Sequence, residues 1–485
     1  MEPMELSTTE EDTITLSQVF STRWAPVLKR VINELDFQSF IAFTKVSSEC
    51  RSLAFMYIRK WVHWKDTSSG KTALILASQQ GEVEVIKLLL QLGGNIHQRD
   101  KDRFTALHWA STNGHNDVVE TLLKRPNGAK VNKQGKGEQT ALHLAVANGH
   151  LDAVKTLLVH GADVQKEAKG RAALHIASQK GDRQMVRFLL LHKVCFGVNV
   201  NQRSTQNNTT PLHWAAMEGH SEVAETLLNY GADHEMKNHV GNTPLIMAAR
   251  RGHTSVIKVL LFRHYRALKT KSSAKLTLPL FLASKYGHLS SVEALLAHGA
   301  DPSMPYGKYK FTALYGATTM GHLGVVQALL AHGANVHHVA NDHVRLAPLH
   351  VAARYGWWEI AKSFLEHGAD VNVLSKEKRT PLHYASREGH RDVVGVLLAH
   401  RACVDSEDKH KNTPLTMAAS RGNIAVAELL IGAGADVNHE NVDRATPFLM
   451  AVNDDEKDMK TFLLKHGAKL SFDDNPSKRT RRWSV

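Results

Sequence analysis

The sequence of 485 residues predicts an all-α solenoid, in which short helix-turn-helix units stack on one another. Three observations predict this fold class: one four-residue box recurs at nearly constant spacing, two short helical patterns follow each copy, and one unit is too short to bury its apolar face alone. The boxes begin at Thr72, Thr105, Thr140, Ala172, Thr210, Thr243, Leu278, Thr312, Ala347, Thr380, Thr413 and Thr446. Separations of 32 to 38 residues identify an array of twelve units, which we number repeats 1 to 12.

Each unit carries signals for the start and the end of its helices. The copy at Thr380 reads Thr-Pro-Leu-His-Tyr-Ala-Ser-Arg-Glu-Gly-His. Threonine suits the N-cap, and Pro381 suits the first helical position, where its missing N–H costs nothing. Gly389 ends this first helix, because glycine accepts the left-handed conformation of a C-cap. Apolar residues at helical spacing over 393–398 predict a second helix.

This pattern, with the closing Gly-Ala-Asp-Val-Asn of residues 368–372, resembles the ankyrin repeat. The resemblance extends over roughly residues 65–472, and we assign twelve ankyrin repeats to residues 66–472. It implies a turn, two antiparallel helices and a protruding β-hairpin per unit, and a curved solenoid with a long concave face. It also implies that the box histidines are structural and form hydrogen bonds between neighbouring hairpins.

Departures from the repeat predict irregular places. An insertion near 194–197 follows the helices of repeat 4, and repeat 6 lacks the closing motif, so we expect a longer second helix and a basic hairpin there. Trp357 and Trp358 replace the usual residues of repeat 9, and the resemblance places the first in a semi-buried slot and the second facing outward. Asp455 stands at the helix-ending glycine slot of repeat 12, as in a polar terminal cap.

The flanking segments differ in composition from the repeats. Residues 1–22 are acidic and are expected to be disordered, and residues 473–485 form a basic tail. Residues 23–65 are predicted to be helical. They resemble an F-box at Val31, Leu35-Asp36, Ser39, Val46, Cys50-Arg51 and Leu53, but lack its usual Leu-Pro opening. Two interpretations stay open: a cap that covers the first repeat, or an F-box that docks on the adaptor of a cullin-based ubiquitin ligase.

Composition excludes several classes of protein. No run of eighteen apolar residues occurs, so no membrane insertion is expected. Cys50, Cys195 and Cys403 lie far apart, which favours a reducing compartment; we expect the cytoplasm, with the nucleus as the alternative. The formal charge of +13 favours acidic partners.

No catalytic or metal-binding pattern emerges from the residues. Of the 30 histidines, 20 fall at three fixed slots of the repeat, one unit apart, whereas metal ligands must converge. Residues 68–72 read Ser-Ser-Gly-Lys-Thr, but the phosphate-loop motif also needs a glycine where Lys65 stands. We therefore predict a non-enzyme with no metal and no cofactor, acting as a scaffold or adaptor.

The resemblance implies that partners contact positions four, three and one before the box, and seven and eight after its start. In repeats 6 to 11 these positions hold 11 basic and 2 acidic residues, against 60 and 47 in the whole chain. The residues expected to bind a partner are Arg250, Arg251, Lys285, Tyr286, Lys308, Tyr309, Phe311, Arg354, Tyr355, Trp358, Arg379, Arg387, Lys409 and Arg421. We predict a groove for an acidic protein segment with apolar anchors. Nucleic acid is the alternative, disfavoured because repeats 1 to 3 lack basic residues at their first-helix contact positions.

Overall fold

A computed structural model describes residues 35–46, 48–268, 273–454 and 456–469, and it confirms the all-α repeat fold. From repeat 1 to repeat 12 the helix pairs are Ala73–Gln80 and Val83–Gln91, Ala106–Asn113 and Asn116–Leu123, Ala141–Ala147 and Leu151–Val159, Ala173–Lys180 and Arg183–Leu191, Pro211–Glu218 and Ser221–Asn229, Pro244–Arg251 and Thr254–Leu268, Thr277–Lys285 and Leu289–Ala297, Ala313–Thr319 and Leu323–Ala331, Pro348–Tyr355 and Trp358–Glu366, Pro381–Glu388 and Arg391–Ala399, Pro414–Ala419 and Ile424–Gly432, and Pro447–Asn453 and Lys457–Lys465. Short 3₁₀ turns lie at Lys136–Glu138 and Ser273–Leu276.

The box forms the start of each first helix, as its residues predict. In repeat 6 the Thr243 hydroxyl accepts a hydrogen bond from the backbone N–H of Ile246, and Pro244 occupies the first helical position. The helix ends at Gly252, whose φ of 76° lies in the left-handed region that side chains with a Cβ avoid. A Cβ at this glycine would also lie 2.5 Å from Nδ1 of His288 in the next repeat. The left-handed backbone and the close packing against the next repeat therefore both require glycine at this position.

The chain divides into two compact units. One comprises the described residues up to Ala215 together with Glu222–Gly241, and the other comprises Ala216–Ser221 and the described residues from Asn242 onward. In the second unit, repeat 10 shows how the core is made: Leu382 and Ala385 of its first helix and Val394 and Leu397 of its second are fully buried. Neighbouring repeats cover these side chains, and each large one contributes about 1.5–3 kcal/mol on burial.

The irregular segments follow the predicted departures. The second helix of repeat 6, Thr254–Leu268, runs for 15 residues where most others have nine, which confirms the expected extension. The following residues 269–272, predicted to form a basic hairpin, and the predicted cap residue Asp455 lie outside the described residues. The insertion after repeat 4 forms the short helix Lys193–Phe196.

The predicted β-hairpins form very little β-ladder within the described residues. Among the described residues, their antiparallel pairing is limited to single bridges at Lys65–Thr72, Ala168–Arg171 and Tyr306–Phe311. Neighbouring hairpins are joined instead through the backbone, as where the N–H of Asn341 donates to the carbonyl of Tyr309 over 2.8 Å. The tips thus form a ladder from repeat to repeat.

The described part of the N-terminal segment packs on the first repeat. Its helices are Phe37–Thr44 and Ser48–Tyr57, followed by the 3₁₀ turn Ile58–Trp61. Within the segment, the rings of Phe37 and Phe40 lie 5.1 and 5.7 Å from that of Trp61. Toward the repeats, Lys45 pairs with Glu82 of repeat 1 over 2.7 Å. The Asp36 carboxylate caps the first helix by accepting the N–H of Ser39.

This packing is what the cap interpretation expects, and the F-box interpretation stays a prediction. Part of the F-box pattern, including Val31, lies outside the described residues, as do the predicted tails at 1–22 and 473–485. Of the helices that are described, none combines the length and the apolar character needed to cross a bilayer.

Candidate functional site

Box histidines fix the hairpins of neighbouring repeats. In repeat 9, Nδ1 of His350 accepts the N–H of Ala347 over 3.2 Å, and Nε2 donates to the carbonyl of Arg379 in the next hairpin over 2.9 Å. His383 makes the equivalent bonds to Thr380 and to Asn412. The predicted structural role of these histidines is therefore confirmed. Burial lowers the pKa of His350 to about 4, so the ring is neutral at pH 7.

A second row of histidines fixes the ends of the first helices. His288, His322 and His390 follow the helix-ending glycine of their repeats, and each Nε2 donates over 3.1 Å to a carbonyl of the preceding repeat. The accepting carbonyls belong to Arg250, Lys285 and Arg354, all predicted partner-binding residues. The next repeat thus holds the backbone beneath each of these cations. Within the described residues, no cluster of three or more His, Cys, Asp or Glu side chains could hold a metal ion.

Exposed apolar side chains line up beside these cations. Position eight after the box start holds Tyr286, Met320 and Tyr355 in repeats 7, 8 and 9, and their side chains are 41%, 46% and 47% exposed. We call these three residues the apolar row. Large side chains exposed in three consecutive repeats form a patch of the kind that marks interaction sites.

The residue before each of these positions is often basic. Arg250, Lys285, Arg354 and Arg387 occupy position seven in repeats 6, 7, 9 and 10, and we call them the basic row. The guanidinium of Arg250 lies 5.7 Å from the ring centre of Tyr286, and that of Arg354 lies 5.9 Å from Tyr355. Cations at this distance are attracted to the ring face. The two rows therefore form one basic-aromatic surface.

The surface has ends of mixed charge. Position eight holds Glu218 in repeat 5, Arg251 in repeat 6, Glu388 in repeat 10 and Arg421 in repeat 11. Arg387 lies 3.9 Å from the carboxylate of Glu388. From repeat 6 to repeat 9, positions seven and eight accordingly hold cations, large exposed side chains and Thr319, without an acidic residue.

The hairpin of repeat 8 presents a second aromatic group. The Lys308 ammonium lies 5.6 Å from the ring centre of Tyr309, which lies 5.7 Å from the ring of Phe311. Phe311 in turn stacks at 4.5 Å on Tyr315, which occupies the box-histidine slot of this repeat. Burial raises the pKa of Tyr315 to about 12, so its phenol is neutral. Lys308, Tyr309 and Phe311 are thus brought together at one tip.

Two predicted contact residues are engaged within the protein. Nε of Arg379 donates to the buried carboxylate of Asp408 over 3.1 Å, and Lys409 pairs with Glu377 over 3.2 Å. Burial by itself would raise the pKa of Asp408, but hydrogen bonds from backbone N–H groups and from Arg379 outweigh it and lower this pKa. The Nε of Arg379 is thus engaged within the protein, and its contact with a partner stays a prediction. Lys409 belongs to an exposed pair, which is weak enough to exchange for a ligand.

The two tryptophans of repeat 9 are both accessible. Trp358 begins the second helix and is 42% exposed, and Trp357 is 37% exposed. Trp357 stands where other repeats place a histidine, and its ring lies so close to Gly321 that a Cβ there would be 2.7 Å from Cζ2. The exposed fractions of the two side chains therefore differ little, whereas the family pattern implied a semi-buried first ring and an outward-facing second one.

A cavity of about 670 Å³ lies at the beginning of the apolar row, within the second unit. It is lined by Met217, Met247, Arg250, Arg251, Tyr286 and His288. Sequence reasoning identified Arg250, Arg251 and Tyr286 but missed the two methionines. Met217 belongs to repeat 5, outside the repeats that we compared, and Met247 lies inside a helix at a position that the contact pattern omits.

Comparison with known families agrees with the repeat pattern. The family described as ankyrin repeats (3 copies) matches residues 46–135, 127–204, 193–272, 266–340, 337–408 and 402–474. These segments together cover most of the chain, including every box.

Individual relatives match only part of the chain. Mouse Rabankyrin-5 is 28% identical over 178 residues, which are 36% of this chain and 15% of that protein. The chicken nuclear factor NF-kappa-B p105 subunit is 32% identical over 171 residues, 35% of this chain and 17% of that protein. Human SH3 and multiple ankyrin repeat domains protein 2 is 31% identical over 184 residues, which are 37% of this chain and 10% of that protein. The chain thus spans less than a fifth of the length of each of these relatives.

Proposed function

Because this chain belongs to the ankyrin-repeat family, we propose that it is a protein-interaction scaffold that binds an acidic segment of a partner protein with repeats 6 to 11. The observation that carries the proposal is the basic-aromatic surface, in which Arg250 and Arg354 stand beside the exposed rings of Tyr286 and Tyr355. Arg and Tyr are among the side chains that contribute most to protein interfaces.

The construction of the surface favours recognition without rearrangement. The backbone of Arg250, Lys285 and Arg354 is held by histidines of the following repeats. A receptor whose contact residues are already positioned loses little conformational entropy on binding, so more of the contact energy appears as affinity. The surplus of cations also attracts acidic segments over a distance and speeds their association.

Selection from a random peptide library displayed on phage, with the full chain immobilised, tests this proposal. We expect the selected peptides to be rich in Asp and Glu and to contain apolar residues. The double variant Arg250→Glu with Arg251→Glu should bind them at least about tenfold more weakly, because charge attraction becomes repulsion. Lys258→Glu, which makes half of this change in charge, is the control, since Lys258 is an exposed cation on the second helix of the same repeat.

The salt dependence gives a second readout. Association of a selected peptide should slow as ionic strength rises, because salt screens the attraction between separated charges. Peptides without acidic residues, or equal weakening by the double variant and by Lys258→Glu, would contradict the assignment to this surface. Tighter binding of a fluorescent single-stranded DNA than of any selected peptide would favour the nucleic-acid alternative instead.

A further inference from the structure

The cavity and the apolar row together set a spacing that a ligand must match. We propose that they bind an extended acidic peptide in which apolar side chains recur at every third residue, with an aromatic one seated in the cavity between Met247 and Tyr286. This inference rests on the proposed function and adds the conformation and the register of the partner segment.

The register follows from the dimensions of stacked helices. Tyr286, Met320 and Tyr355 occupy the same position of consecutive repeats, so the row advances by one helix-to-helix step per residue. Packed helices lie about 8–10 Å apart. A polyproline II chain rises about 3.1 Å per residue, and three residues therefore advance by about 9 Å. Because this conformation has three residues per turn, every third side chain also points in the same direction.

The cavity suits an aromatic side chain as the first anchor. Its volume of about 670 Å³ exceeds what one side chain fills, so even a large ring can enter. The thioethers of Met217 and Met247 adapt in shape and make favourable contacts with aromatic rings. The phenol of Tyr286 supplies a further ring for edge or offset packing. The later anchors would lie between Tyr286 and Met320 and between Met320 and Tyr355.

The basic row gives the position of the acidic residues. Arg250, Lys285 and Arg354 occupy position seven of their repeats, directly before position eight, which an apolar anchor would contact or adjoin. In repeat 8, Thr319 takes the place of a cation. In a chain with three residues per turn, the side chain of the residue after each anchor points to one side of the row of anchors. A carboxylate there can pair with the basic row. The ligand pattern is therefore an apolar residue, an acidic residue and a free position, repeated.

A helical ligand would need a different pattern. An α-helix rises 1.5 Å per residue, so six or seven residues span one repeat, and its anchors would recur at every seventh position. It would also present a face about 10 Å wide to a row that is one side chain wide in each repeat. The extended chain fits the single row of Tyr286, Met320 and Tyr355 better.

Three labelled synthetic peptides distinguish these possibilities in fluorescence anisotropy titrations with the full chain. The first is Phe-Glu-Ser-Leu-Glu-Ser-Leu-Glu-Ser, with anchors three apart. The second, Phe-Glu-Ser-Ser-Leu-Glu-Glu-Ser-Leu, has the same composition with anchors four apart. The third is a longer acidic peptide with anchors seven apart. We expect the first to bind about tenfold more tightly than the second, because misplacing an anchor forfeits the burial of one large side chain.

Variants assign the effect to this site. Tyr286→Ala should remove most of the advantage of the three-spaced peptide, whereas Phe262→Ala should preserve it, because Phe262 is 63% exposed on the second helix of repeat 6. Tightest binding of the seven-spaced peptide would overturn the extended conformation.

Failure of the register can be told apart from failure of the proposed function. If all three peptides bind equally, yet Arg250→Glu with Arg251→Glu weakens each of them, the register is wrong while acidic recognition stands. If no peptide binds, the register is also wrong. The proposed function fails with it only when library selection likewise retrieves no acidic sequence.

Discussion

The box histidines make the stability of particular repeats depend on pH, and His350 offers the sharpest test. Its Nδ1 accepts a backbone N–H and its Nε2 donates to the carbonyl of Arg379, so the fold uses the neutral ring. The chain itself supplies the matched substitution, because Thr416 occupies this slot in repeat 11, where the N–H of Thr413 approaches its hydroxyl at 3.4 Å. We therefore compare the wild type with His350→Thr.

The magnitude follows from two pKa values. Burial lowers the pKa of His350 in the fold to about 4, whereas the ordinary value is 6.5. The unfolded chain takes up a proton below pH 6.5, and the folded chain does so only near pH 4, so stability is full above pH 6.5 and falls between these values. At 1.36 kcal/mol per pKa unit, the loss at pH 4 is about 3 kcal/mol for this residue. Burial also lowers the pKa of His383 in the next repeat, which adds to the effect.

Hydrogen exchange measured by mass spectrometry at pH 7 and pH 5, corrected for intrinsic rates, resolves this effect by repeat. Wild-type protection in repeats 9 and 10 should fall at pH 5. Repeats 6, 7 and 8 carry Ile246, Phe281 and Tyr315 at this slot and serve as the internal control. His350→Thr should lower protection at pH 7 and reduce its further loss at pH 5. An equal loss of protection in repeats 6 to 8, or an unchanged pH dependence in the variant, would refute the reasoning.

Three further predictions concern the scaffold and its exposed rings. Asp408→Ala should lower the free energy of unfolding in urea by about 3 kcal/mol, because it leaves the partly buried guanidinium of Arg379 without its carboxylate. Glu377→Ala, in an exposed pair, should lower it by less than about 1 kcal/mol, and equal losses would contradict the different roles of the two pairs. Gly252→Ala should cost about 2 kcal/mol or more, since it combines a left-handed backbone with a clash against the next repeat; an unchanged melting temperature would show that the neighbour yields freely. Trp357→Ala should lower the free energy of unfolding by about 2 kcal/mol, less than the loss of a fully buried ring. Trp358→Ala should leave the melting temperature unchanged and weaken the capture of acidic peptides. If Trp358→Ala instead unfolds the protein while binding stays intact, Trp358 belongs to the core.

The elements that could be predicted from the sequence are those with local causes. Thr380, Pro381 and Gly389 define a helix by hydrogen bonds and dihedral angles within a few residues, and the structure places the ends of Pro381–Glu388 accordingly. The longer second helix of repeat 6 was also predictable, because the closing motif that would end it is missing. Repetition strengthens such predictions, since each unit repeats the same physical test.

The parts that could not be predicted depend on which residues of neighbouring units meet. Counting charges by position grouped Arg379 with the other cations predicted to bind a partner, but its Nε donates a hydrogen bond to Asp408, 29 residues later. The cavity likewise arises where Met217, Met247 and Tyr286 converge from three repeats. A periodic pattern gives the position of a residue in its unit, whereas pairing and cavity formation depend on side-chain conformations across units.

The second row of histidines links the architecture to the proposed recognition. His288 both holds the carbonyl of Arg250 and lines the cavity, so the group that stacks one repeat on another also shapes the binding surface. In repeat 9 Trp357 takes this place, and a large exposed ring replaces an imidazole beside Tyr355 and Trp358. Seven other repeats place a histidine at this slot and repeat 11 places Asn423, so packing between repeats does not require a large ring here. Under the proposed function, the exposed ring of Trp357 extends the basic-aromatic surface at repeat 9, because exposed aromatic side chains are the usual anchors of an interface.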